Sequence, residues 1–174
     1  MKKGFLSSLM MSLGLVAAPA MARSFDNAPV SVLNADRYLG RWFEIARFNH
    51  SFEKGIDYAT AYYTLKPDGT LRVVNSGIKD GKPKSSVGKA KFTGLSGLLR
   101  VSFFGPFYSD YRVLMVSDDY SYALVGSGSP KYLWVLSRTP RLPDGVLKSI
   151  MAEAKRRGYD TNKLIWVVQD KDGN

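Results

Sequence analysis

Leu39-Gly40-Arg41-Trp42-Phe43-Glu44 and Leu133-Trp134-Val135-Leu136-Ser137-Arg138 bracket the part of this chain that decides its fold. The first segment places a glycine two residues ahead of a tryptophan, at the start of a strand-like run. The second ends such a run on an arginine. If the strands between them close into a barrel, the two ends meet and the Arg138 guanidinium can lie on the Trp42 indole. A cation–π contact of that kind contributes roughly 0.5–2 kcal/mol.

Turn signals divide residues 41–137 into short strand-like runs. The runs cover 41–48, 57–65, 70–77, 85–93, 98–104, 110–117, 120–127 and 132–137. Lys66-Pro67-Asp68-Gly69 is a tight turn, and Gly105-Pro106 breaks the fifth run. No helical pattern interrupts the series, so parallel crossovers are disfavoured and an antiparallel meander is expected. The fold class read from this pattern is all-β, an eight-stranded antiparallel up-and-down barrel. Eight strands close around a space wide enough for one small ligand, and closure removes exposed edges.

Asn34 to Tyr38 reads as one capped helical turn leading into the first strand. After the barrel, Pro140 and Pro143 stop strand structure. Asp144 is placed to N-cap a helix whose apolar face is Val146, Leu147, Ile150, Met151 and Ala154. Lys155, Arg156 and Arg157 suit its C-terminal dipole, and Gly158 suits its cap. This helix is expected outside the barrel, followed by a short strand at 164–168.

Residues 1–22 read as a secretory signal peptide: Lys2 and Lys3, an apolar stretch, then Ala20-Met21-Ala22. Residues 23–33 read as an N-terminal arm, and 34–174 as the folded domain. Removal of Lys2 and Lys3 lowers the formal charge from +10 to +8. The basic residues are scattered, and Lys89 and Lys91 alternate on one strand face. A solvated surface therefore fits better than nucleic-acid binding, with mild attraction to anionic lipid. There is no cysteine, which removes disulfides, thiol catalysis and an N-terminal lipid anchor on cysteine. The reading is an exported, periplasmic protein that is not lipid-anchored.

The chain resembles a lipocalin, most closely the bacterial, outer-membrane-type group. Gly40-x-Trp42 matches the first family signature, Ser117-Asp118-Asp119-Tyr120 resembles the second, and Arg138 matches the third. Gly40 to Phe48, Val101 to Tyr108 and Tyr132 to Pro140 look characteristic of the bacterial group. The resemblance implies a calyx closed at one end, binding of small hydrophobic molecules and, from many bacterial members, fatty acids or lysophospholipids and a role at the cell envelope. It departs at the missing lipobox cysteine. Gly40, Trp42, Asp119, Tyr120 and Arg138 are taken as the closed-end signature.

Strand alternation assigns the inward face. The expected interior is Trp42, Glu44 and Ala46; Leu71, Val73 and Asn75; Gly88, Ala90 and Phe92; Leu99, Val101 and Phe103; Tyr111, Val113 and Met115; Ala123 and Val125; Tyr132, Trp134 and Leu136. From these, Ala46, Asn75, Ala90, Phe92, Val101, Phe103, Tyr111, Val113, Tyr132 and Trp134 are the candidate ligand-binding residues. Small inward residues (Gly88, Ala90, Ala46, Ala123) leave room for a ligand. A chain of about twelve methylenes gains on the order of 10 kcal/mol gross on burial, before the costs of ordering. Tyr111, Asn75 and Tyr132 are expected to hold a polar head near the mouth. Phe48-Asn49-His50-Ser51-Phe52 and Phe104-Gly105-Pro106-Phe107-Tyr108 are expected at the open end, where aromatic residues suit a membrane–water interface.

No metal cluster, cofactor motif or catalytic set is assigned. The leading function is a non-enzymatic carrier of hydrophobic amphiphiles. The rivals are a lipid-modifying enzyme, which would have to use His50, and a protein-interaction module or homodimer on the aromatic rim.

Overall fold

The computed structural model describes residues 25–170. Nine strands form the sheet: β1 Gly40–Phe48, β2 Ile56–Leu65, β3 Leu71–Lys79, β4 Lys82–Phe92, β5 Leu98–Phe104, β6 Phe107–Val116, β7 Tyr122–Gly126, β8 Leu133–Ser137 and β9 Leu164–Trp166. Each of the first seven pairs antiparallel with its successor, and β1 pairs with both β2 and β8, which closes the barrel. Helix α1 (Ala35–Tyr38) precedes β1, and helix α2 (Asp144–Arg156) follows β8. The signal-peptide reading of residues 1–22 lies outside the described residues.

Two apolar cores share the barrel wall. The inner one joins Trp42, Tyr63, Leu71, Val73, Ala90, Leu99, Val113, Ala123, Val125 and Leu136. The outer one joins Ile45, Leu114, Leu124 and Val135 of the wall to Ile150 and Ala154 of α2. Helix α2 therefore covers one side of the barrel with the apolar face its sequence spacing provides. Asp144 is its first residue rather than its N-cap. Pro143 holds the cap position and makes no side-chain capping bond.

β1 is not regular. Glu44 pairs with Leu136 and Ala46 with Val135, so one extra residue is inserted at Ile45. Such a bulge shifts side-chain parity. Below it, β1 pairs with β2 as far as Phe43 opposite Thr60. Above it, β1 turns to β9 instead, with Ala46 opposite Trp166. The backbone groups left where β1 and β2 part are paired by the C-terminal segment. Gln169 donates to the carbonyls of Glu44 and Ala59, Val167 N–H donates to Ile45 O, and Tyr58 N–H donates to Val168 O. A buried backbone group needs such a partner.

The closed end is tied by Arg138. Its guanidinium lies 3.8 Å from the Trp42 ring centre and donates to the carbonyls of Arg41, Arg37 and Tyr120. Gly40 sits at φ +88, with Arg138 Nη1 3.6 Å from where a Cβ would stand. A side chain there would be strained by the backbone. Asp119 accepts from Ser117 Oγ and Ser121 N–H, shaping the turn that presents Tyr120. The arm crosses beneath: Val30 N–H donates to Val113 O, Asn34 N–H donates to the Tyr120 hydroxyl, and Val30 and Leu33 pack against the inner core.

Arg138→Lys is expected to lower stability by about 2–4 kcal/mol, because an ammonium cannot serve three diverging carbonyls and an indole face together. Urea denaturation of both proteins measures this, and equal midpoints would contradict it.

Candidate functional site

The inner core thins out above the floor. Tyr38, Trp42, Leu71 and Leu99 are almost fully buried at the closed end. Higher up, Asn75, Val101, Phe103 and Trp134 keep accessible surface on the inward face, as Ala61 and Tyr111 do lower down. These half-buried side chains turn toward the barrel interior. Val73, Ala90, Val113, Val125 and Leu136 complete the apolar inner wall. Two shallow grooves, one beside Val30, Arg37 and Tyr120 and one beside Val87, Lys89 and Ser102, lie on the outside and are lined largely by outward residues.

The structure gathers Ala90, Val101, Phe103, Tyr111, Val113 and Trp134 on the inner wall, with Asn75 half-buried on β3. Two inward assignments reverse, and two more positions do not open onto the barrel interior. Ala46 is fully buried but faces outward into the α2 core, because the β1 bulge reverses parity beyond Glu44. Met115 does the same past a second irregularity, between Val113 and Met115 of β6. Phe92 ends β4 at the closed end, where no barrel continues past it, and is 38% exposed. Gly88 leaves no free volume, since a Cβ there would stand 2.8 Å from the Phe103 ring. Tyr111 also lies at the floor rather than the mouth. Its hydroxyl meets those of Tyr38 at 2.7 Å and Tyr63 at 3.0 Å.

The same bulge turns Arg47 inward, opposite Trp134. Its side chain is 2% exposed. Nη1 donates to Glu44 Oε1 at 2.6 Å, and Nη2 donates to the carbonyls of Glu53 and Ile56. These bonds draw the β1–β2 loop inward over the barrel mouth. Glu53 accepts from Trp134 Nε1 at 3.0 Å and lies 3.2 Å from His50 Nε2. His50 stacks on Phe52 with ring centres 4.0 Å apart, and Tyr132 stacks on Trp134 at 6.0 Å. Tyr132 thus belongs to an aromatic rim rather than the wall. The His50 side chain is 6% exposed, so this loop histidine is enclosed, not solvated.

One guanidinium serves two carboxyl groups here. Burial, then the nearby Glu53 carboxylate, raises the Glu44 pKa to about 8 against the opposing pull of Arg47. Burial raises Glu53 as well. Burial, then Arg47, lowers His50 to about 4. The Glu53 contact favours the charged ring, but with Glu53 itself pushed toward its neutral form the desolvation of His50 prevails. Burial thus pushes both carboxyl groups beside Arg47 toward their neutral forms, which weakens the balance of its charge. A guanidinium has five N–H donors, and three are used in these bonds. Nε is buried without a partner. This polar cluster escapes simple alternation. Its one trace in the sequence is the spacing of Glu44 and Arg47, which a regular strand would place on opposite faces.

A lipocalin-like domain model matches residues 33–169. The chain belongs to the lipocalin family. It is 48% identical over 144 residues to the outer membrane lipoprotein Blc of Escherichia coli K12, covering 80% of this chain and 81% of that protein. The Vibrio cholerae protein of the same name is 46% identical, covering 81% and 85%. Temperature-induced lipocalin-1 of Arabidopsis thaliana is 40% identical, covering 78% of each. Among solved structures, insecticyanin from Manduca sexta superposes with a TM-score of 0.71 at 20% identity, covering 85% of this chain and 87% of that one. That likeness concerns the fold alone. Binding of small hydrophobic molecules is the coarse function that membership supports.

The raised Glu44 pKa adds stability that is complete below about pH 4.5 and is lost as pH rises toward 8. The lowered His50 pKa adds stability present above about pH 6.5 and lost as pH falls toward 4. Between pH 6.5 and 8 only the first slope operates for this pair. Glu44→Gln is expected to flatten the stability profile there, by up to about 1.4 kcal/mol per pH unit. Urea midpoints across pH 6.5–8 measure it, and parallel profiles for both proteins would contradict it.

Proposed function

We propose that this lipocalin is a non-enzymatic carrier of single-chain anionic amphiphiles, fatty acids or lysophospholipids, in the bacterial cell envelope. The observation that carries this reading is Arg47: a buried, under-balanced cation at the top of an apolar barrel. The acyl chain lies along Val73, Ala90, Val101 and Phe103. The anionic head takes the donors of Arg47 that its protein partners leave free, beside Trp134. The aromatic rim of His50, Phe52 and Tyr132 closes above it. Its relatives' description as outer membrane lipoproteins supports the envelope setting. This sequence has no cysteine to acylate, so we place contact with lipid elsewhere. Phe104 and Phe107 are 79% and 78% exposed at the tip of the β5–β6 hairpin. Lys82 and Lys84 are exposed on the adjoining β3–β4 hairpin. Apolar tips beside cations suit a transient seat on an anionic bilayer.

Palmitic acid is expected to bind at least tenfold more tightly than hexadecanol, and Arg47→Met to erase the difference while circular dichroism shows the fold retained. Ala90→Trp, which fills the lumen, is expected to weaken both ligands. Equal affinity of the wild-type protein for acid and alcohol would remove the head-group role of Arg47. For the membrane contact, the protein is expected to float with anionic vesicles and much less with zwitterionic ones. Phe104→Ser with Phe107→Ser should abolish flotation. A soluble dimer that floats with neither would assign the rim to a second copy of the chain.

A further inference from the structure

We infer that the calyx floor holds a second polar subsite, the Tyr111 hydroxyl, which receives an uncharged oxygen at the deep end of a bound chain. The inference rests on the carrier reading and deepens it. Three tyrosine hydroxyls meet at the floor and carry three protons between them. Two hydrogen bonds join them: Tyr63 donates to Tyr111 at 3.0 Å, and Tyr38 and Tyr111 share the other at 2.7 Å. One proton is therefore surplus within the triad. Tyr38 is 2% exposed, packed between Trp42 and Tyr63. A surplus proton on Tyr38 would be buried without a partner, which is costly. If Tyr38 donates, the surplus falls to Tyr111, the one of the three that keeps accessible surface. Tyr111 packs on the inward face, and the inferred subsite is its free O–H turned toward the lumen.

The chemistry of the triad restricts what it takes. Burial holds all three hydroxyls in their neutral form. Tyr111 already accepts two hydrogen bonds in this arrangement, so toward a ligand it acts as a donor. A hydroxyl, carbonyl or ether oxygen suits a single neutral donor. A carboxylate does not, because Arg138, the cation that acts on Tyr38, gives its donors to backbone carbonyls, while Arg47 waits at the other pole. A plain methyl end needs no hydroxyl at all, and phenylalanine floors would serve it better. The lumen thus matches a chain with an anionic head and an oxygen near its far end, an oxygenated fatty acid. Along β1, Trp42 to Arg47 spans roughly 16 Å at 3.3 Å per residue, which suits a medium-length chain.

The test uses the full mature chain, delipidated, and calorimetric titration with ω-hydroxy acids and the n-alkyl acids in which a methyl replaces the hydroxyl. The series runs from decanoic to hexadecanoic acid. At the best length, the wild-type protein is expected to bind the ω-hydroxy acid at least as tightly as its methyl counterpart. An unpartnered buried hydroxyl would instead weaken binding about tenfold or more, and that result overturns the subsite without needing any variant. Tyr111→Phe is expected to weaken the ω-hydroxy acid roughly three- to tenfold and to leave the methyl acid unchanged or tighter. Tyr63→Phe removes a donor to Tyr111 but not its surplus proton, so selectivity should persist. If Tyr111→Phe shifts both ligands alike, or Tyr63→Phe abolishes selectivity equally, the triad is structural and the inference fails while the carrier reading stands. If the wild-type protein binds neither class of acid, both fail.

Discussion

The site depends on one inserted residue. The bulge at Ile45 lets β1 serve two partners in succession, β2 below and β9 above. It also exchanges the faces of everything beyond it. Ala46 goes out to pack beneath α2, and Arg47 comes in to hold the β1–β2 loop over the mouth. Without the insertion, Arg47 would face the apolar core under the helix, and the barrel would lose the charge at its top. The C-terminal segment is part of the same device, because Gln169 and β9 pair the backbone groups that the divergence of β1 and β2 leaves open.

Closed end and mouth divide the work of the barrel. At the closed end, Arg138 uses its charge on backbone carbonyls and an indole face, contacts that hold the strands together. At the mouth, Arg47 is surrounded by carboxyl groups that burial pushes toward neutrality. Buried charge of this kind is a poor source of stability. Its retention at the top of an apolar cavity is the physical reason for assigning it to a ligand.

Much of the fold was legible in the sequence because its determinants are local. Gly40 and Trp42, the Asp119-Tyr120 turn and Arg138 announce the closed end through residue type alone. Alternation places Ala90, Val101, Val113 and Trp134 inward, since pairing runs without a register shift up to those positions, and Phe103 stays inward beside an irregularity of β5. The two reversed residues share one cause. Parity is a property of pairing register, and Ala46 and Met115 lie beyond irregularities that arise only when two strands are laid side by side. The sequence places His50 in a loop at the open end, and nothing adjacent to it reveals that Arg47 pulls that loop inward. Tyr111 was assigned the right face but the wrong height, since alternation fixes direction and not depth.

The account turns on where the charged end of a bound chain lies. Carbon-13 NMR of carboxyl-labelled palmitic acid bound to the protein, titrated through the acid range, reads that position directly. Beside Arg47 the carboxyl group should stay ionised to lower pH than in free acid, and its signal should show contacts to Arg47 and Trp134. A bound carboxyl group that titrates at or above its ordinary value, with contacts to Tyr111 and Tyr63, would put the head at the floor and contradict the account.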